Sequence, residues 1–156
     1  MRMIFKQRIF SWFDSYDIYD EYKETLFTVE GKFAWGKKLV IKNAEGEHIA
    51  TLRQKTLSFR PAYLLYVGEE QVGVIRKDFS LFKPSFSIDC NGWEVDGDFF
   101  EWDYSVKNAE GGLVATIAKK IMNWSDTYVL DVCDDRDAVT VLMVALAIDA
   151  EKSSRG

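Results

Sequence analysis

The chain repeats itself, and a duplicated pattern restricts the folds open to it more than any single motif does. Lys42-Asn43-Ala44-Glu45-Gly46 recurs intact as Lys107-Asn108-Ala109-Glu110-Gly111. Ala50-Thr51-Leu52 follows the first copy and Ala115-Thr116-Ile117 the second. At the same constant offset Lys55 matches Lys120, Phe59 matches Trp124, Tyr63 matches Tyr128, Leu65 matches Leu130 and Val67 matches Val132. Upstream, Val29–Phe33 lines up with Val95–Phe99, and Phe10-Ser11-Trp12-Phe13 with Phe79-Ser80-Leu81-Phe82. With one gap, Tyr16 and Ile18 meet Phe86 and Ile88. The chain is therefore two related halves, Phe5–Val72 and Val74–Leu142.

Each half reads as short strands separated by turns. Phe27–Gly36, Leu39–Lys42, His48–Lys55 and Tyr63–Val67 are rich in aromatic and β-branched residues, the side chains that fit a pleated surface. Asn43-Ala44-Glu45-Gly46 predicts a hairpin loop in which Gly46 takes positive φ, and Gly111 repeats it. Glu30-Gly31, Asn91-Gly92 and Asp96-Gly97 are further turn candidates. Such spacing predicts a sandwich or a barrel, and duplication favours the barrel, because two equal half-sheets can close and leave no edge.

The second half ends differently from the first. Asp134-Asp135-Arg136-Asp137 opens a run from Ala138 to Ile148 in which only Thr140 carries a polar group. An aspartate, Asp134 or Asp135, suits the N-cap, and the other acids sit well at the positive end of a helix dipole. The β-branched residues make a strand the competing reading; the acidic cap decides for a helix over 135–150. A helix apolar all round is buried in protein or in membrane. At about 16 Å for the run it cannot cross a hydrocarbon core of about 30 Å. Its place is inside the barrel.

Together with the duplication, Gly97-Asp98-Phe99, Ala115-Thr116-Ile117, Asp126-Thr127-Tyr128 and the ending Ile148-Asp149 after an acidic turn and an apolar helix resemble the LURP-one-related family, over nearly the whole chain. The resemblance implies the tubby-like fold, a closed antiparallel barrel of about twelve strands around a central hydrophobic helix. That fold is shared with the tubby C-terminal domain and the phospholipid scramblases. The bacterial members carry no assigned chemistry, so the resemblance implies a fold and leaves function to the residues.

Composition narrows the function. At 156 residues the chain suits one domain, 1–156, with a core of its own. Aromatic residues make up 15%, which opposes disorder. A net charge of −5 opposes nucleic-acid binding. The N-terminus has no signal-length apolar core, and the expected location is cytoplasmic with no transmembrane insertion. Cys90 and Cys133 are the only cysteines; they lack metal-site spacing and read as two buried thiols, with a disulfide the open alternative.

No motif announces catalysis. His48 is the single histidine and reads as a surface turn residue, because no nucleophile or acid pairs with it in the sequence. Asp131, Asp134, Asp135 and Asp137 lack the spacing and bend glycine of a calcium loop, so capping explains them better than a metal does. Glycines form neither GxGxxG nor a P-loop; no cofactor is expected. Trp12, Trp35, Trp93, Trp102 and Trp124 are chiefly packing residues, with a minority at loop tips suited to a membrane interface. The remaining feature is basic: Arg53, Lys55, Lys119 and Lys120. Arg53 and Lys55, two apart, share the outer face of a strand and form the candidate ligand-binding set, suited to a phosphorylated headgroup. The expected function is non-enzymatic: binding of an anionic phospholipid headgroup or other anionic ligand at the surface. The alternative is a protein-interaction or regulatory module, which an exposed apolar patch beside the basic residues would favour.

Overall fold

A computed structural model describes residues 1–6, 15–33, 35–57, 59–78, 86–98, 103–122 and 125–153. The repeat segments around Phe10–Phe13 and Phe79–Phe82, and the residues Trp12, Trp102 and Trp124, lie outside them. The first half supplies β1 (Arg2–Lys6), β2 (Ser15–Tyr19), β3 (Thr25–Phe33), β4 (Lys37–Asn43), β5 (His48–Gln54) and β6 (Ala62–Val67). The second continues with β7 (Glu70–Lys77), β8 (Phe86–Asp89), β9 (Glu94–Asp98), β10 (Asp103–Lys107), β11 (Leu113–Met122) and β12 (Ser125–Val132). A 3-10 turn, Asp135–Asp137, leads into the helix α1, Ala138–Ser153.

All twelve strands form one antiparallel sheet in the order β8-β7-β6-β5-β4-β3-β2-β1-β12-β11-β10-β9. The first strand pairs with the last, Met3 facing Leu130 and Phe5 facing Tyr128, so the sheet wraps into a barrel whose seam lies between β8 and β9. The duplication is visible in the wall. Hairpin β4–β5 and hairpin β10–β11 lie six strands apart and share a bulge at the same place, between Ile41 and Lys42 and between Val106 and Lys107.

The repeated turn has one mechanism. The Asn43 side-chain oxygen accepts from the backbone N–H groups of Glu45 and Glu47, and Asn108 accepts from Glu110 and Gly112 in the same way. Gly46 and Gly111 take φ of 85° and 83°. A third copy joins β2 to β3. There Asp20 accepts from Tyr22 and Glu24, and Lys23 occupies the left-handed position at φ 68°. Asn91-Gly92 makes the predicted tight turn, closed by Trp93 N–H to the Cys90 carbonyl at 2.9 Å.

Two predicted turns prove to be strand interior. Glu30-Gly31 lies within β3 and Asp96-Gly97 within β9. Gly97 is needed for a close approach: its φ is 140°, and a Cβ there would collide with the Asp103 carbonyl and Tyr104.

Inward-facing residues alternate with outward ones along each strand, and Ile41, Leu52, Leu65, Ile117 and Leu130 are among those that meet the helix in the core. Val141 to Ile148 of α1 are all at most 1% exposed. A helix of this length spans about 24 Å, enough to run the barrel from end to end. It enters beside Met1, whose ammonium donates to the Val132 carbonyl at 2.9 Å. At the far end Asp149 accepts from the Tyr128 hydroxyl at 3.1 Å, and Glu151 meets Lys77 at 3.6 Å. No helix among the described residues is long and apolar enough to cross a membrane.

Candidate functional site

The structure separates the four predicted binding residues. Arg53 lies on the outer face of β5, whose inner residues are Ala50 and Leu52, and Lys55 directly follows the strand; both are exposed. Lys119 and Lys120 lie on β11, six strands away around the barrel. Lys119 faces the buried Tyr128 across the ladder, so it points to the inner side, and only its neighbour Lys120 points outward. Duplication explains the separation: residues equivalent by the repeat occupy opposite walls.

Around Arg53 the sheet assembles a different set. Register places Lys32 of β3 opposite Lys38 of β4, and Lys38 opposite Arg53 of β5. Directly opposed side chains have Cβ atoms about 4.5–5.5 Å apart, and like charges there are destabilising. Among the described residues none of Lys32, Lys38, Arg53 and Lys55 forms an ion pair. The nearby carboxylate of Glu30 is held by Lys42 at 2.9 Å; the hydrogen bond from Lys42 is the main cause of its lowered pKa. The row of cations therefore works against folding, offset in part by Glu30, which Lys32 also attracts.

Beside this row two loops carry apolar side chains into solvent. Trp35, in the β3–β4 connection, is 89% exposed, and Leu57 and Phe59, in the β5–β6 connection, are each 95% exposed. The loops touch: a Cβ on Gly36 would lie 2.6 Å from Cγ2 of Thr56. Trp35 has φ 48°, a left-handed conformation that a bulky residue adopts at a cost of about 1–2 kcal/mol. Strain and exposure at one tryptophan are the kind of outlier that points to function. An exposed apolar patch beside Arg53 and Lys55 is thus present. The register that brings Lys32 and Lys38 to Arg53 was readable by counting back from the Asn43–Gly46 hairpin. Leu57 and Phe59 were missed because the repeat pairs Phe59 with an aromatic residue, which reads as packing.

The same end of the barrel is polar inside. Lys37, Gln54 and Tyr63 stand side by side on the inner face of β4, β5 and β6; the Lys37 N–H donates to Oε1 of Gln54 at 3.1 Å, and Gln54 faces Tyr63. On β7, Lys77 follows Ile75, which faces Tyr63. Tyr63 is 2% exposed, and its hydroxyl has no hydrogen-bond partner among the described residues. Burial, with the charges of Glu151 and Asp149 behind it, raises the pKa of that phenol. Burial lowers the pKa of Lys37, and the same two carboxylates act to raise it.

The other sequence candidates are engaged structurally. Exposed His48 shares a 2.7 Å hydrogen bond with the Thr51 hydroxyl. Asp131 pairs with Arg2 at 2.7 Å, Asp134 with Arg136 at 2.6 Å and Asp135 with the Met1 ammonium at 3.6 Å. Of the cysteines, both free, Cys90 is buried but Cys133 is exposed, which corrects the expectation of two buried thiols. Cys133 sits in the bend between β12 and the helix, outside the wall.

Three comparisons bear on identity. The chain is 29% identical over 150 residues to a Bacillus subtilis (strain 168) protein named "Uncharacterized protein YxjI", covering 96% of this chain and 92% of that protein. Its fold is similar to the X-ray structure of a protein from Arabidopsis thaliana, with a TM-score of 0.61 at 17% identity, covering 92% of this chain and 87% of that one. Residues 1–149 match the LURP-one-related family. With the pattern spanning the whole barrel and its central helix, the chain belongs to the LURP-one-related family.

Proposed function

We propose that the domain is a non-enzymatic, cytoplasmic binder of anionic lipid surfaces, docking through the loops that carry Trp35, Leu57 and Phe59. The observation that carries this reading is their arrangement with Lys32, Lys38, Arg53 and Lys55: apolar side chains at the tips, and set back along the strands cations that form no ion pair among the described residues. A membrane interface takes tips of this kind at the acyl boundary and cations at headgroup level. Exposed apolar surface alone favours a protein partner, the second reading. The cations set directly beside the apolar tips are what favours a membrane, which offers negative charge at headgroup level next to an apolar layer.

The test is co-sedimentation with phosphatidylcholine vesicles, with and without phosphatidylserine. Binding is expected only to the anionic set and to weaken with salt. Each basic residue near such a surface contributes about 1 kcal/mol, so Arg53→Glu with Lys55→Glu should cost tenfold or more, about 2 kcal/mol. Trp35→Ser should also weaken binding, and Lys120→Glu on the opposite wall should not. Unchanged binding by the Arg53/Lys55 double variant removes those residues from the site. No binding to any vesicle favours the protein-partner reading.

A further inference from the structure

Loose surface cations would be enough to attract an anionic membrane, but three of those beside the loop tips are fixed in one row. Lys32, Lys38 and Arg53 stand directly opposite one another across β3, β4 and β5. Their outward direction follows from the inner residues of the same strands, Val29, Leu39 and Leu52, each an odd number of residues away. Neighbouring strands lie about 4.8 Å apart, so the row spans roughly 10 Å. Lysine and arginine stems are long enough for the three charged heads to meet over Lys38.

The local carboxylate does not fill that point. Glu30 is the one acid in β3, β4 and β5. It lies in the next row, facing Val40, and Lys42 holds it at 2.9 Å. Lys32 attracts it too, but as a lesser cause than Lys42 of its lowered pKa. Lys32, Lys38, Lys42 and Arg53 thus share a single carboxylate, and the excess is positive. A phosphate monoester suits the place where the row converges: it carries a charge of roughly −1.5 to −2 near pH 7 and three acceptor oxygens. The Arg53 fork can take two of them side by side, leaving the lysine ammoniums to the third. A phosphodiester headgroup offers one charge and two free oxygens, and phosphatidylserine adds an ammonium that the row repels.

We propose that the row Lys32–Lys38–Arg53 recognises the terminal phosphate of a phosphomonoester lipid, of which phosphatidate is the simplest. The phosphate sits over the row while Trp35, Leu57 and Phe59 enter the interface beside it. The inference deepens the membrane-docking reading and rests on it for a lipid source, but the preference for a monoester belongs to the row alone.

The test is co-sedimentation of the full chain with phosphatidylcholine vesicles containing phosphatidate, phosphatidylglycerol or phosphatidylserine, matched in surface charge rather than in lipid fraction. Calorimetry with glycerophosphate, the same headgroup without acyl chains, runs beside it. Phosphatidate should bind about tenfold more tightly than either diester. Arg53→Lys keeps the charge and loses the fork, so it should remove most of that preference and leave both diesters unchanged. Lys38→Gln, at the centre of the row, should weaken phosphatidate about tenfold. The diesters should then lose no more than about fivefold, the share of one positive charge near an anionic surface. Lys120→Gln, on the opposite wall, should change none of them. Equal binding of the three lipids at matched charge, or a preference that Arg53→Lys and Lys38→Gln both keep, overturns the monoester site and leaves the docking reading standing. Glycerophosphate binding that Arg53→Lys weakens, without vesicle binding, keeps the phosphate site but overturns its lipid source, and the docking reading with it. No binding of vesicles or glycerophosphate overturns both.

Discussion

Tyr63 and Tyr128 are one residue of the ancestral repeat in two environments. Tyr128, fully buried, donates to the Asp149 carboxylate, and hydrogen bonds to charged groups contribute about 1.5–3 kcal/mol. Tyr63 is as deeply buried, but among the described residues its hydroxyl has no partner. Removing a hydroxyl that satisfies nothing is close to neutral. Tyr128→Phe should therefore lower unfolding free energy by about 1–3 kcal/mol and Tyr63→Phe by less than about 0.5, measured by urea denaturation of the protein without added lipid. Equal losses at both positions would mean that Tyr63 has a polar partner in the folded protein. The repeat made these two tyrosines equivalent in the sequence, but only the path of the helix tells them apart. The same limit misled the grouping of Lys119 and Lys120 with Arg53 and Lys55. Equivalent positions invite being read as one site, whereas a two-fold barrel sends them to opposite walls.

At the scale of elements the sequence was most legible where chain chemistry leaves one choice. The Asn-Ala-Glu-Gly turns hold because the asparagine side chain and the positive-φ glycine each have a defined task. Asp20–Glu24 makes the same turn unannounced, because Lys23 stands where a glycine would have signalled it. Gly31 and Gly97 raised the opposite error, since both lie inside strands, and a glycine that permits close strand contact, as Gly97 does, looks like one that permits a turn. The helix was legible from its apolar run and acidic start, and burial on all sides makes it the most sensitive element. Leu142→Ala and Leu146→Ala, at residues 0% and 1% exposed, should each cost about 2–5 kcal/mol in chemical denaturation; losses near zero would place the helix outside the barrel. Its entry turn responds to acid. Arg136 holds the Asp134 carboxylate, chiefly by side-chain hydrogen bonding, at a pKa of about 2 against an ordinary 3.8. A lowered carboxylate pKa stabilises the fold above the ordinary value and loses that contribution as pH falls through the lowered one. Asp134→Asn should therefore show a shallower loss of stability than the parent between about pH 4 and 2, followed by thermal melts. Parallel curves would show that the pairing adds nothing in solution.

The whole molecule is polar along its axis. One end gathers the hairpin turns and the start of the helix, with Glu21, Glu45, Glu69, Glu110 and Asp135 all exposed there. The opposite end carries Trp35, Leu57 and Phe59 beside Lys32, Lys38, Arg53 and Lys55, which form no ion pair among the described residues. Strands of six to eight residues separate the ends by roughly 20 Å, beyond a Debye length of about 8 Å at physiological salt. The acidic end can thus face solvent without cancelling the attraction of the basic one, and an anionic surface should orient the barrel end-on. Cys133 makes this measurable, because it is exposed at the acidic end whereas Cys90 is 2% exposed. An environment-sensitive dye on Cys133 should keep its aqueous emission when phosphatidylserine vesicles are added. The same dye on Trp35→Cys, in a Cys133→Ser background, should shift to the blue. Blue shifts from both positions would mean that the barrel lies on its side or inserts. If neither dye shifted while the protein still sedimented with vesicles, contact would run through the strand faces, and the exposed tryptophan would need another partner.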